Sequence, residues 1–218
     1  MKSIILYRAL ELIISILGLF IILPFILPTI ITVSLLTGQF PFIRQERMVA
    51  LNKKRIIIYK IRTIRKFNKS YNMNYNSAEI FNNHKLNKFV PSFCKLLRKT
   101  GLDETPQLLN VIKGDLSLIG PRPMLERDLL ILMREDPKSY KIRTMINAKP
   151  GITGFWQIYG DRSKGFKNLV SSDTYYENNK SFLIDLKIFI KTILIMLRAE
   201  HSDSIVGNKF REISNQKY

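Results

Sequence analysis

From Leu12 to Leu36 the chain runs 25 residues without a charge, LIISILGLFIILPFILPTIITVSLL, and Pro24 stands at the midpoint. About 20 apolar residues span a bilayer as a helix, so this run commits the chain to membrane contact. It is too long for the apolar core of a cleaved signal peptide, and no A-x-A-like site follows it. Spanning is a separate matter. Pro24 leaves 12 residues on either side, and each half reaches only about 18 Å as a helix. Pro28 adds a second interruption one turn later. An interior proline removes a backbone donor and crowds the preceding turn.

The flanks are positive at both ends. Lys2 and Arg8 precede the run, and Arg44, Arg47, Lys53, Lys54 and Arg55 follow it. Positive charge favours the cytoplasmic side. The run accommodates either a proline-kinked span or a hairpin that dips in and returns. The paired flanks favour the hairpin, because a straight span would export Lys2 and Arg8.

Over the whole chain, 35 basic and 17 acidic residues leave a net charge of +18. Such a surface attracts polyanions: nucleic acid, anionic lipid or phosphorylated substrates. The single cysteine, Cys94, excludes an internal disulfide. RIIIYKIRTI (55–64) reads as a strand with Lys60 and Arg62 on one face by the period of two. The asparagine-rich stretch 66–89 reads as a surface loop, with His84 in it and no neighbouring ligand set. SFCKLLRKT, TPQLLNVIKG and MLERDLLILMRED read as helices, with Gly114 as a stop. Pro150-Gly151 signals a type II turn, and a short strand is expected around Trp156. Residues 181–200 form one long apolar helix with Lys187, Lys191 and Arg198 on one face. That pattern suits a helix lying in the membrane interface and equally a core helix with snorkelling lysines.

The chemistry concentrates in RKTGLDETPQLLN (98–110). Thr100 to Asp103 matches a capping box, and the acidic pair Asp103-Glu104 would suit a helix N-terminus. Arg98 and Lys99 lie just upstream, Arg122 follows in GPRP, and Lys60 and Arg62 lie on a separate strand. Were these to converge, they would form a phosphate site whose cations keep two adjacent carboxylates ionised. An ionised aspartate there can attack phosphorus and form an acyl phosphate. Its neighbour can accept a proton.

FIRQER, YKIRT, LLRKTGLDETPQLLNVIKGDLSLIGPRP and PGITGFWQI occur in this order, and together they resemble the bacterial sugar transferases. These are the small monotopic phosphoglycosyl transferases that start capsule, O-antigen, exopolysaccharide and glycoprotein assembly. The resemblance implies transfer of a sugar phosphate from a UDP-sugar to undecaprenyl phosphate, with release of UMP. It makes Asp103 the nucleophile, Glu104 the base, and Asp103 the ligand of a Mg2+ ion that bridges to the diphosphate. Arg122 becomes a phosphate ligand, with Lys60, Arg62, Arg98, Gln157 and Arg162 as further substrate contacts. The membrane segment becomes a re-entrant helix broken at Pro24 and Pro28. Three departures stand out: Leu23 replaces the usual serine before the proline, Gly101 replaces a common serine, and LLTGQFPF replaces the usual Ser-Pro-Gly-Pro.

The expected fold is α+β and mostly helical. A membrane helix-break-helix at 1–40 precedes a compact catalytic domain at 41–200 with interfacial amphipathic helices and a few short strands, then a polar tail at 201–218. The expected place is the cytoplasmic face of the bacterial inner membrane. Two rivals differ in class. A membrane-bound glycosyltransferase would release UDP and require a nucleotide-binding α/β fold, for which strand signals are sparse. A basic membrane-anchored nucleic-acid binder would require a recognition motif, and none is present, so no nucleic-acid partner is expected.

Overall fold

The structure, a computed structural model, describes residues 2–66 and 89–200. The interior of the asparagine-rich stretch, with His84, and the tail from 201 lie outside the described residues.

The first helix, α1 (Lys2–Thr37), carries both prolines in its interior. The expected break is therefore not a gap between two helices, since helical structure continues through Pro24 and Pro28. The lost hydrogen bonds are those that residues 24 and 28 would donate to the carbonyls of Phe20 and Pro24. Four residues apart, these losses fall on one side of the helix, so bending at the two prolines adds up instead of cancelling.

Both ends of α1 rest on the domain that follows. Near the start, Arg8 Nη2 donates to the carbonyls of Val111 at 2.6 Å and Ile112 at 3.2 Å. These lie in the last turn of α3 (Leu108–Lys113), where orphan carbonyls favour a cation. Glu11 accepts from the Leu118 N–H at 3.0 Å and pairs with Arg8 at 3.1 Å. Near the end, Val33 is buried with Ile61, Val90, Cys94 and Leu97. Past Ser15, which is buried, and Gly18, which lies close to Leu108, the helix is largely exposed: Phe20 is 75% exposed and Phe25 67%.

Two strands, β1 (Phe42–Arg47) and β2 (Ile56–Ile61), form an antiparallel hairpin in which Ile43 opposes Lys60. Ile56 and Ile58 pack on Val111 and Leu116. Asn110 fastens this hairpin to α3. Its Oδ1 accepts from the Tyr59 N–H at 3.2 Å and its Nδ2 donates to the Ile57 carbonyl at 2.7 Å. The helix α2 (Ser92–Thr100) has the bounds the sequence suggests and ends at Gly101, where φ is 70°. That left-handed conformation strains a residue with a Cβ, so glycine in place of serine has a backbone reason here.

A second pair, β3 (Ser117–Ile119) and β4 (Gly151–Thr153), is parallel. Gly151 is not the positive-φ residue of a type II turn. It is small because a Cβ there would sit 2.1 Å from the Gly120 nitrogen. The strand expected around Trp156 is instead a short helix, α6 (Phe155–Tyr159), preceded by β4. Trp156 is buried with Met48, Met124, Leu129 and Leu169, and packing of that indole overrides the β-propensity of its neighbours.

The remaining helices are α4 (Glu126–Glu135), α5 (Pro137–Thr144), α7 (Gly165–Asn179) and α8 (Phe182–Leu197). On α8 the exposed residues Leu183, Leu186, Ile190, Ile193, Leu194 and Leu197 form one apolar stripe, while Asp185 and Ile188 face inward. Lys187, Lys191 and Arg198 border that stripe at helical spacing. Among the described residues nothing covers the stripe, which leaves it exposed as it would be on a helix lying in the membrane interface.

Candidate active site

The acidic pair lies in a 3-10 turn, Leu102–Gln107, entered through Gly101. The capping-box reading fails here. Thr100 is the last residue of α2, and its hydroxyl donates to the carbonyls of Leu96 at 2.9 Å and Leu97 at 3.1 Å. The cap position belongs to Gly101, which has no side chain. The carboxylates are left to face something else.

They face a pocket walled by three elements. The hairpin supplies Ile43, Gln45, Arg47 and Lys60, α2 supplies Arg98, and the segment into α4 supplies Arg122, Leu125 and Asp128. Asp103 and Glu104 line it from the 3-10 turn. The hairpin register explains the first wall: Ile43, Gln45 and Arg47 alternate on one face, and Lys60 pairs opposite Ile43. Of the residues singled out from sequence, Lys60, Arg98, Asp103, Glu104 and Arg122 converge.

The two carboxylates differ in surroundings. Glu104 is buried and closes an ion pair with the Lys60 ammonium, itself mostly buried. Asp103 is only half-buried. Its charge reaches Cys94, where burial, and after it Asp103, pushes the thiol up against the opposing pull of Arg65 and Arg98. Arg98 Nη1 is shielded from solvent and has no hydrogen-bond partner among the described residues. Arg122 reaches the pocket from a loop whose side chain lies over the Trp156 ring at 5.7 Å.

Three expected contacts do not line this pocket. β2 ends at Ile61, so Arg62 does not share the face of Lys60. It donates from Nε to the Phe40 carbonyl at 2.9 Å and lines a neighbouring hollow with Arg44, Tyr59, Arg65 and Leu109. Arg162 lies over Trp156 at 5.1 Å, so it and Arg122 share one indole. Gln157 is buried, and neither of its amide atoms has a hydrogen-bond partner among the described residues.

Gln45, Arg47 and Asp128 line the pocket and went unassigned from sequence. FIRQER carries the signal for the first two, as alternate residues of a strand. Asp128 sits in the first turn of α4 and is fully buried. Among the described residues no three His, Cys, Asp or Glu side chains form a metal cage.

The family model described as Bacterial sugar transferase matches residues 2–199. The chain is 37% identical over 175 residues to Uncharacterized sugar transferase EpsL of Bacillus subtilis, covering 80% of this chain and 79% of that protein. It is 43% identical over 98 residues to Exopolysaccharide production protein ExoY of Sinorhizobium fredii, 45% of this chain and 41% of that one. It is 41% identical over 106 residues to Undecaprenyl-phosphate galactose phosphotransferase of Salmonella typhimurium, 49% of this chain but 21% of the relative. With a match over nearly its whole length and a pocket that gathers the motif residues around one acidic pair, the chain belongs to the bacterial sugar transferase family.

Proposed function

We propose that this protein transfers a sugar 1-phosphate from a UDP-sugar to a polyprenol phosphate and releases UMP. The carrying observation is the acidic pair in its basic pocket: Glu104 is held by Lys60, and half-buried Asp103 lies beside it in a pocket lined by Arg98 and Arg122. The name of the Salmonella relative, an undecaprenyl-phosphate galactose phosphotransferase, supports the same class of reaction.

In the first step an Asp103 carboxylate oxygen attacks the phosphorus that bears the sugar. The bond from that phosphorus to the bridging oxygen breaks, and UMP departs with the electron pair. The product is an acyl phosphate between Asp103 and the sugar. In the second step a phosphate oxygen of the lipid attacks the same phosphorus and Asp103 leaves as carboxylate. Glu104 takes the proton that the lipid phosphate brings. Arg98 and Arg122 bind the phosphoryl oxygens and stabilise charge that builds on them. Lys60 holds Glu104 in place.

Mg2+ that arrives with the donor suits this pocket, because the ion keeps waters and binds through one or two carboxylates plus substrate phosphates. Asp103 would hold it, and its contribution would be charge neutralisation at the diphosphate.

The membrane arrangement follows from the anchors of α1. Arg8 and Val33 both contact one domain, so the two ends of the apolar run belong on one side of the bilayer. The bare middle dips in at the prolines and returns. The α8 stripe lies on the same surface, and the basic face meets anionic headgroups on the cytoplasmic side. A soluble donor and a lipid acceptor then meet at headgroup level. The direct test is to incubate the protein with donor alone and digest it. A peptide containing Asp103 that gains the mass of the sugar phosphate supports the covalent route, and an unmodified peptide with no UMP until lipid phosphate is added speaks for direct transfer.

A further inference from the structure

Behind the Arg122 loop lies a buried ion pair that this reaction scheme leaves unused. Arg143 on α5 and Asp173 on α7 are both fully buried, and Arg143 Nη1 donates to Asp173 Oδ2 at 2.7 Å. Burying two charges forfeits their hydration, and a well-packed apolar pair often serves stability as well or better. What an apolar pair cannot do is donate hydrogen bonds.

Arg143 uses the rest of its fork on two main-chain carbonyls. Nε donates to Val49 at 2.6 Å, and Nη2 donates to Arg122. Val49 lies just past β1, which forms one wall of the dyad pocket, and Arg122 forms another. In front of the guanidinium these walls are already joined, by Met48 N–H to Met124 carbonyl at 3.0 Å and the reverse bond at 2.8 Å. Asp173 also acts on Arg122: burial pushes its carboxyl up, while Arg143 and the Arg122 main-chain N–H pull it down. Arg143 thus holds the Arg122 carbonyl while Asp173 holds Arg143.

We propose that Arg143, anchored by Asp173, is a positioning residue that fixes the Arg122 main chain and so sets the Arg122 guanidinium over the dyad pocket. The inference rests on phosphosugar transfer with Arg122 as a phosphate ligand. A planar fork is required, because a lysine keeps the charge but reaches at most part of this bond set.

The test is a double-mutant cycle on the full-length chain in detergent, with UMP release as readout and activity normalised to folded protein. Arg143→Lys is expected to lower kcat/KM about 10-fold or more. In an Arg122→Ala background the same change is expected to cost less than about 2-fold, since the group it positions is gone. Losses that multiply in the two backgrounds would show that Arg143 acts on stability alone. Arg143→Met with Asp173→Leu gives a folding control. If that pair folds and keeps full activity, the positioning role is wrong. Wild-type protein that releases no UMP would instead overturn the phosphosugar reading itself.

Discussion

The Lys60 ammonium, from the hairpin, closes a buried ion pair with Glu104, the second carboxylate of the 3-10 turn. This contact fixes one carboxylate of the acidic pair, and both line the pocket. It also ties the hairpin to the turn that carries the chemistry. Removing one partner strands a buried charge, so Lys60→Met should cost about 3 kcal/mol of stability. Adding Glu104→Gln should recover most of that loss, while activity stays low in the double variant. Chemical unfolding and UMP release, measured side by side, would check this. Recovered activity in the double variant would mean that the pair is structural only.

Asn110 is fully buried and bonds both the Tyr59 N–H and the Ile57 carbonyl. Asn110→Ala leaves two buried backbone groups without partners, a loss of about 2–4 kcal/mol. Hydrogen exchange should show Tyr59 losing protection first. Unchanged exchange at Tyr59 would mean that the hairpin is held by its apolar face.

Asp185 joins α8 to both ends of the fold. Tyr7 on α1 and Tyr176 on α7 donate to its two oxygens, Glu11 lines the same cavity, and Lys180 lies within 6.0 Å of both phenol rings. Burial pushes its carboxyl up to about 7. An unfolded aspartate loses its proton near pH 4, so between about pH 4 and 7 the folded state holds one proton more. Stability from this residue is therefore greatest at low pH, falls as pH rises through that window, and is level above it. Protonated, Asp185 can donate to Tyr176, whose hydroxyl also reaches the Ile119 carbonyl at 3.3 Å. Asp185→Asn should remove this slope from thermal unfolding between pH 5 and 8. A variant that keeps the wild-type slope would assign it to other groups.

The re-entrant path proposed for α1 can be tested by labelling. With Cys94 replaced, single cysteines at Ser3 and Gln39 should both react with a membrane-impermeant reagent from the cytoplasmic side only. Opposite-side labelling of the two would make α1 a span.

Much of this was legible where punctuation and periodicity agree. α2 is amphipathic and ends on a glycine, and the stop at Gly114 has φ of 86°. The acidic pair with Arg98 and Arg122 was legible through motif order. The β1 side of the hairpin wall was not, because β1 exists only by pairing with β2, and the three-residue strands β3 and β4 likewise exist only by pairing with each other. Phe155–Tyr159 carries strand-forming residues yet folds as a helix, since Trp156 must reach the core. Arg143 sits in PKSYKIRT, which reads as a polar surface helix, and its burial is set by α7.

The central claim is that Asp103 is the nucleophile of a phosphosugar transfer, and the first measurement is the nucleotide released. Purified protein would meet a panel of UDP-sugars, magnesium and undecaprenyl phosphate, beside its Asp103→Asn variant. The expected result is UMP from at least one sugar, reduced at least about 1,000-fold by the substitution. Release of UDP, or UMP release that the substitution leaves untouched, would contradict it.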